Sequence, residues 1–187
     1  MNFLDFQRQL LQKPTSVLLR EWLFHRRPHA FSTDELYERF VDATRAQFPT
    51  AEDICVAGTA NWVFSLNPNK SFKEYGQNSD IDTVIIDRAS FDLCWNEIRK
   101  QDRATKYTRA GDGDFLSASR NIYSGFVAPV WVLDYRHRMR FDFRVKLNQI
   151  SNSIVNGREV KALFFKDREE VIDYYTRGVM LAKEKLK

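Results

Sequence analysis

The sequence predicts an α+β domain in which helices flank a small mixed sheet. Two short apolar runs, residues 54–57 and 81–86, have the length and the turn-forming flanks of strands, and residues 159–165 form a third. The run at 81–86 is apolar on both faces, which is typical of a strand in the centre of a sheet. Longer segments before and after these runs carry apolar residues at helical spacing, so we expect helices to cover the sheet.

Length and composition indicate one domain. A chain of 187 residues can bury its own core, and 43% hydrophobic with 29% charged residues is ordinary for a globular protein. We expect a single domain over residues 1–187, with N-terminal helices in 1–48 packed on the core and a C-terminal helix in 167–187. The formal charge of +4 and the isoelectric point of about 9.1 suit an anionic ligand, but they also suit many proteins without one.

Capping residues and prolines predict the N-terminal helices. Residues 2–12 form an amphipathic helix that Pro14 ends, and residues 16–24 form a second one. A third helix opens at the capping box Ser32-Thr33-Asp34-Glu35.

The same signals predict the later helices. Ser90 is expected to cap a helix after the strand at 81–86. Residues 115–127 are expected to form a helix that Pro129 ends, and Asp167 to cap a final helix.

The candidate site combines a small-residue turn with two carboxylates. Gly58 and Thr59 end the first strand, and Asp80 and Asp82 begin the next one on the same face, because side chains alternate along a strand. Two carboxylates held together repel each other, and a divalent cation such as Mg²⁺ removes that repulsion. The pattern therefore predicts a metal site for phosphate chemistry. Its alternative is an ordinary strand-to-helix turn beside a common Asp-x-Asp sequence.

These residues resemble the DNA polymerase beta-like nucleotidyltransferases. The resemblance covers residues 54–86: an apolar strand, Gly-Thr, a helical segment, and Asp-x-Asp on the next strand. Residues 58–62, together with 65–68, are similar to a group of small bacterial nucleotidyltransferases, several of which are associated with defence against phage. The resemblance implies the polymerase beta-like nucleotidyltransferase fold.

The resemblance also implies roles for individual residues. Gly58 and Thr59 would hold a triphosphate through backbone N–H groups and the hydroxyl, at a helix start that favours anions. Ser79 would cap or orient the end of the second strand. Asp80 and Asp82 would ligate two Mg²⁺ ions, with Mn²⁺ as an alternative.

Two departures from the family pattern concern the surroundings of the carboxylates. Twenty residues separate Thr59 from Asp80, more than in the minimal members, and the surplus at 67–78 is polar. It is interpreted as a loop near the triphosphate, in which Lys70 or Lys73 could contact phosphate. The alternative for each lysine is a solvated loop position.

The second departure is the third carboxylate, which the family carries on a later strand. Asp142 is the best candidate, because residues 139–147 alternate between apolar and polar and so predict a strand. It would complete the metal site as a catalytic residue. The alternatives are the solvent face of an edge strand, a helix over the same residues, or Asp134 as the third ligand. Asp142 would share its face with Arg140, Arg144 and Lys146.

Together these observations predict a nucleotidyltransferase that moves a nucleoside monophosphate from an NTP (such as ATP) or a dNTP to a hydroxyl acceptor and releases pyrophosphate. The short chain favours template-independent transfer, to a single-stranded nucleic acid, to a growing oligonucleotide or to a protein hydroxyl. Tyr174 and Tyr175 are conceivable acceptors or ordinary core residues. The phage-defence relatives imply a partner protein or a homo-oligomer. The alternatives are a non-catalytic nucleotide- or partner-binding module and an antitoxin-like transferase that modifies a partner toxin.

Cysteine usage and hydropathy predict the compartment. Cys55 and Cys94 are expected to be buried free thiols, which suits a reducing environment. No signal peptide and no membrane span is evident, so the cytoplasm is expected.

Overall fold

The computed structural model describes residues 1–105, 120–132, 136–151 and 153–187, in which four strands form one mixed sheet. The order across the sheet is β1–β2–β4–β3; β1 and β2 are antiparallel, β2 and β4 parallel, and β4 and β3 antiparallel. The predicted α+β class with a small mixed sheet is therefore confirmed, and β2 is a central strand as predicted. The strands are β1 (Asp53–Val56), β2 (Ile81–Ile86), β3 (Phe126–Val127) and β4 (Val160–Phe165).

Helices cover both faces of the sheet. One face packs against α3, α5 and α7, and the other against α1, α2 and α8. The helices are α1 (Phe3–Gln12), α2 (Thr15–Phe24), α3 (Asp34–Gln47), α4 (Thr59–Trp62), α5 (Arg88–Thr105), α6 (Pro129–Val132), α7 (Arg138–Ile150) and α8 (Arg168–Lys185).

Alternation along β2 divides its side chains between the two layers. Ile81 and Ile85 are buried in the core formed with α3, α5 and α7. Val84 and Ile86 are buried in the core formed with α1, α2 and α8. Side chains alternate along a strand, so Asp82 points to the same face of the sheet as Val84 and Ile86, which is the face covered by α8. The side chain of Asp82 in the predicted site therefore lies on the face of the sheet that the C-terminal helix α8 covers.

Two of the predicted helix caps are confirmed, and a third is corrected. Thr33, within the predicted capping box, and Asp167 each accept a hydrogen bond from a backbone N–H three residues later. The helix after β2 is instead capped by Asp87, which accepts a 3.0 Å hydrogen bond from the backbone N–H of Ser90. Asp87 directly follows β2, so the connection to α5 is shorter than the sequence predicted.

The prediction of a strand over residues 139–147 is wrong, because these residues belong to α7. Phe143, Leu147 and Ile150 are buried at helical spacing, whereas the exposed Phe141 belongs to the alternating pattern that suggested a strand. The buried residues at helical spacing pack against the core, and this burial favours a helix over the strand that the alternating pattern indicated.

The predicted helix at 115–127 is also partly wrong. Residues 115–119 lie outside the described residues, and 120–123 are helical. Phe126–Val127, however, pairs with β4 as strand β3. Pro129 begins α6 instead of ending a helix, which is consistent with the preference of proline for the first helical turn.

Both cysteines are buried and free, as predicted. Among the described residues, no helix combines the length and the apolar character needed to cross a membrane.

Candidate active site

A cavity of about 650 Å³ lies where β1 ends and β2 begins. It contains every site residue predicted from the two strands and the turn after β1, whereas Asp142 is not part of its lining. The predicted residues that line it are Gly58, Thr59, Ser79, Asp80 and Asp82.

Gly58 brings the backbone directly against a carboxylate. Its φ of 64° and ψ of −160° belong to a region that only glycine adopts readily. A Cβ at this position would overlap Oδ2 of Asp82 and lie 3.3 Å from its Cγ. The glycine is therefore required both by its conformation and by the close approach of Asp82.

The helix that follows Gly58 is shorter than the sequence implied. It comprises only the four residues Thr59–Trp62 and ends at Val63, whose φ is 76°. A single turn aligns few peptide dipoles, so the expected attraction of a helix start for anions contributes little here. The turn acts mainly by placing Gly58 and Thr59 in the cavity.

The surroundings of Asp82 disfavour the negatively charged form of its carboxyl group. Burial and, secondarily, the charge of Asp80 raise the pKa of Asp82 to about 6, while Lys161 and Lys70 act in the opposite direction. The smaller of these two contributions, the charge of Asp80, is the repulsion predicted for two carboxylates on one face. Two carboxylates in close proximity are suitable oxygen donors for one hard divalent cation.

We expect Asp82→Asn to stabilise the metal-free protein at neutral pH. The folded state keeps this carboxyl protonated up to about pH 6, whereas its ordinary pKa is 3.8. Between these values the folded state binds more protons, so the free energy of unfolding falls as the pH rises. In EDTA the variant should melt roughly 3–6 °C above the wild type at pH 7.5 and almost with it at pH 4.

Asp173→Asn, an exposed carboxylate on α8 outside the cavity, is the matched control for this melting experiment. It should show no comparable difference between the two pH values. Equal melting temperatures of wild type and Asp82→Asn at pH 7.5 would contradict the expectation.

Lys161 is a site residue that the sequence interpretation missed. Its Nζ donates a hydrogen bond to Oδ2 of Asp80 and lies 3.7 Å from Oε2 of Glu159. The hydrogen bond to Asp80 is the main reason why the pKa of Lys161 is raised. Placing the predicted strand at 159–165 beside β2 could have indicated this lysine, because it is the register partner of Asp82.

The loop at 67–78 lies beside the site, as predicted, and both of its lysines line the cavity. The backbone N–H of Ser65 donates to the carbonyl of Lys73 at 2.9 Å, and that of Tyr75 donates to Val63 at 2.7 Å. The loop is therefore folded back on itself rather than extended into solvent. Its two lysines are Lys70 and Lys73.

Arg158 fastens the end of this loop. Its Nη1 donates to the carbonyls of Gly76, Gln77 and Ser79 at 2.6–2.8 Å, and its guanidinium lies 4.8 Å from the ring centre of Tyr75. Ser79 also closes the turn itself, since its Oγ accepts a 3.0 Å hydrogen bond from the N–H of Gly76. This agrees with a positioning role for Ser79 at the start of β2.

Helix α8 forms another part of the cavity wall. Tyr174 packs edge-on against Phe126 at 4.9 Å, and Tyr175 packs against Trp62 at 5.6 Å. Burial and the charge of Asp82 raise the pKa of both phenols. The two tyrosines are thus partly buried residues that pack against the core and also line the cavity. The cavity residues from α8 are Tyr174, Tyr175, Arg177, Gly178 and Leu181.

Asp142 is not brought to the two strand carboxylates. It lies on α7 with a side chain that is 53% exposed, and its Oδ2 is 3.8 Å from Nε of Arg138 one turn earlier. In the part of the chain that the structure describes, no group of three or more histidine, cysteine or carboxylate side chains could hold a metal ion. The alternative candidate, Asp134, lies outside the described residues.

Comparison with known proteins gives no match: no family model fits the chain, and no curated protein or solved structure is significantly similar to it. The resemblance to polymerase beta-like nucleotidyltransferases therefore stays a prediction from the residues of the chain.

Proposed function

We propose that the protein is a metal-dependent nucleotidyltransferase that moves a nucleoside monophosphate from an NTP or dNTP to a hydroxyl acceptor. The observation that carries this proposal is the joint placement of a glycine turn, two carboxylates and a basic loop around one cavity. Its volume of about 650 Å³ is within the range of small-molecule sites. The class of ligand follows from the charges, since carboxylates and ammonium groups in one cavity suit a metal-bound polyphosphate.

The residues of the cavity have separate roles in this proposal. Asp80 and Asp82 would hold Mg²⁺ or Mn²⁺, which supplies Lewis-acid stabilisation of the phosphate oxygens when bound. Lys70, Lys73 and Arg177 line the cavity and would neutralise the triphosphate.

The reaction breaks a phosphoanhydride bond of the nucleotide and forms a phosphate ester bond to the acceptor. The acceptor oxygen bonds to the α-phosphorus, the bond from that phosphorus to the pyrophosphate oxygen breaks, and the hydroxyl proton passes to solvent. The turn at Gly58 and the loop that Arg158 holds in place would orient the triphosphate for in-line attack. Positioning of this kind provides much of the catalysis in phosphoryl transfer.

The acceptor and the biological setting are proposed from the resemblance. We infer template-independent transfer, to an oligonucleotide or to a protein hydroxyl, by an enzyme that acts with a partner protein or as a homo-oligomer. Defence against phage is the process that the similar bacterial enzymes suggest. The two buried free thiols suit the reducing cytoplasm.

Incubation with each α-labelled NTP and dNTP, with Mg²⁺ or Mn²⁺, tests the function on a denaturing gel. A ladder of oligomers, or label fixed on protein, should form with the wild type and should fall at least about 100-fold in Asp80→Asn and Asp82→Asn. Asp173→Asn controls for the chemical change at an exposed site. Asp142→Asn should stay active, and its inactivity would restore the third carboxylate predicted from the sequence.

A non-catalytic binding module is the second candidate function. It is favoured by the presence of only two grouped carboxylates among the described residues and by the pairing of one of them with Lys161. This module would be stabilised thermally by a nucleotide without forming a product. An antitoxin-like transferase, by contrast, would label a partner protein and leave nucleic acid unlabelled.

A further inference from the structure

Lys161 lies where a third carboxylate could otherwise complete the metal site. Strand β4 runs parallel to β2, and Lys161 is the register partner of Asp82. The next side chains on this face of β4, Leu163 and Phe165, pack in the same core as Val84 of β2. Lys161 and Asp82 therefore project from neighbouring strands toward the same layer.

The ammonium group of Lys161 is engaged with the carboxylates of the site. It donates to Asp80 Oδ2 and lies 3.7 Å from Glu159 Oε2. The side chains of Lys161 and Asp80 are 30% and 33% exposed, so the pair is partly shielded from water. A charge held in this way is less screened than one on the open surface.

The net charge of the site is consistent with one bound divalent cation instead of two. Two carboxylates, one ammonium group and one divalent cation have the same net charge as three carboxylates with two divalent cations. Asp80 and Asp82 provide the two carboxylates, and Lys161 provides the ammonium group. Glu74 and Glu159 are left out of this count because both are exposed, so water and salt screen their charges. No further carboxylate joins them within the described ranges to form a group that could hold a metal ion.

We propose that Lys161 is a built-in cation of this site, so that the site binds one divalent cation instead of two. Lys161 replaces both a carboxylate ligand and the charge of the second metal ion, and it directs the bound cation toward Asp82 and the turn at Gly58. This inference rests on the proposed function, because it concerns how the same site neutralises a polyphosphate.

Counting bound Mn²⁺ by equilibrium dialysis and electron paramagnetic resonance, with the metal alone, tests the inference directly. The wild type should bind one Mn²⁺ per chain. Lys161→Asp, which places a carboxylate beside Asp82, should bind two. Lys161→Met should still bind one, about tenfold more tightly, because the competing ammonium group has been removed from Asp80.

Controls separate this effect from general changes in charge and folding. Lys166→Asp makes the same charge change just beyond β4, where the lysine lies 4.0 Å from Asp92 and not beside the aspartates of the site, and should bind one Mn²⁺ with wild-type affinity. Asp82→Asn should lose Mn²⁺ binding. Thermal unfolding reports whether each variant folds, and Lys161→Met carries the test if Lys161→Asp does not.

A turnover measurement distinguishes a built-in cation from a merely structural lysine. In Lys161→Met, tighter Mn²⁺ binding should accompany slower nucleotide transfer at saturating metal, and Lys161→Arg should recover part of the rate. Unchanged metal affinity and unchanged transfer in Lys161→Met would overturn the inference.

The metal count also separates failure of this inference from failure of the proposed function. Two Mn²⁺ ions per wild-type chain, with transfer intact, would overturn the inference alone. No Mn²⁺ in the wild type but one in Lys161→Met would identify the lysine as a blocking residue and would also overturn it. No Mn²⁺ in any variant and no transfer would overturn the metal-dependent function itself.

Discussion

Replacing Gly58 by alanine is expected to lower the proposed nucleotide transfer at least about 100-fold, because the new methyl group would displace Asp82. The methyl group would overlap Oδ2 of Asp82, and the backbone would be held in a conformation costing roughly 1–3 kcal/mol for a residue other than glycine. The free energy of unfolding should fall by a similar amount. Transfer rates and urea unfolding of the same preparation measure the two effects separately.

Two other glycines provide matched controls for this experiment. Gly157 also has a positive φ, 68°, but a Cβ there would meet nothing within 4 Å, so Gly157→Ala tests backbone strain alone. Gly76 has open space and no positive φ, so Gly76→Ala tests neither effect. If Gly58→Ala loses no more activity than Gly157→Ala, the close approach to Asp82 does not matter for function.

The second large effect is expected in Asn61→Asp, which should destabilise the protein by about 3–5 kcal/mol. Asn61 is fully buried, and its Nδ2 donates to the carbonyls of Trp22 at 2.7 Å and Val56 at 2.6 Å. The amide thus ties α2 and the end of β1 to the helix after Gly58. A carboxylate at this position has no N–H to donate, so its oxygen atoms would face the two backbone carbonyl oxygens. Both carbonyls would lose their hydrogen-bond donor.

Urea unfolding at two pH values measures this effect. The loss of stability should be smaller at pH 4.5 than at pH 8, because a protonated carboxyl can donate one of the two lost hydrogen bonds. Asn148→Asp, the same change on the exposed face of α7, should stay within about 0.5 kcal/mol of the wild type. A loss below about 1 kcal/mol in Asn61→Asp would show that this amide does not hold the turn.

The elements predicted correctly are those whose signal is local. The strands at 54–57, 81–86 and 159–165 were predicted because each is a short apolar run with turn residues beside it, and they correspond to β1, β2 and β4. Strand β3 is only two residues long and exists through its pairing with β4, so no sequence period could indicate it. In α7 the sequence contains two competing periods, and burial against the sheet selects the helical one.

The candidate site divides in the same way. Gly58 and Asp82 could be predicted because Gly58 closely follows β1 and Asp82 lies on β2, and these two strands follow each other in the sequence and pair directly. Lys161 and the cavity residues of α8, such as Arg177, come from the far end of the chain. Their position beside Asp80 and Asp82 depends on how the strands and helices are arranged around the sheet, which one sequence does not specify.

The parallel pairing of β2 with β4 has a consequence for how the protein folds. The hydrogen bond between Lys161 and Asp80 closes a loop of 81 residues, and contacts over such separations form late because chain entropy opposes them. Until β4 docks, the antiparallel hairpin of β1 and β2 holds two aspartates with no counter-charge from Lys161. The counter-charge of Lys161 therefore reaches the two aspartates only when β4 pairs with β2, and a chain interrupted before residue 160 would contain Gly58-Thr59 and Asp80-x-Asp82 without this lysine.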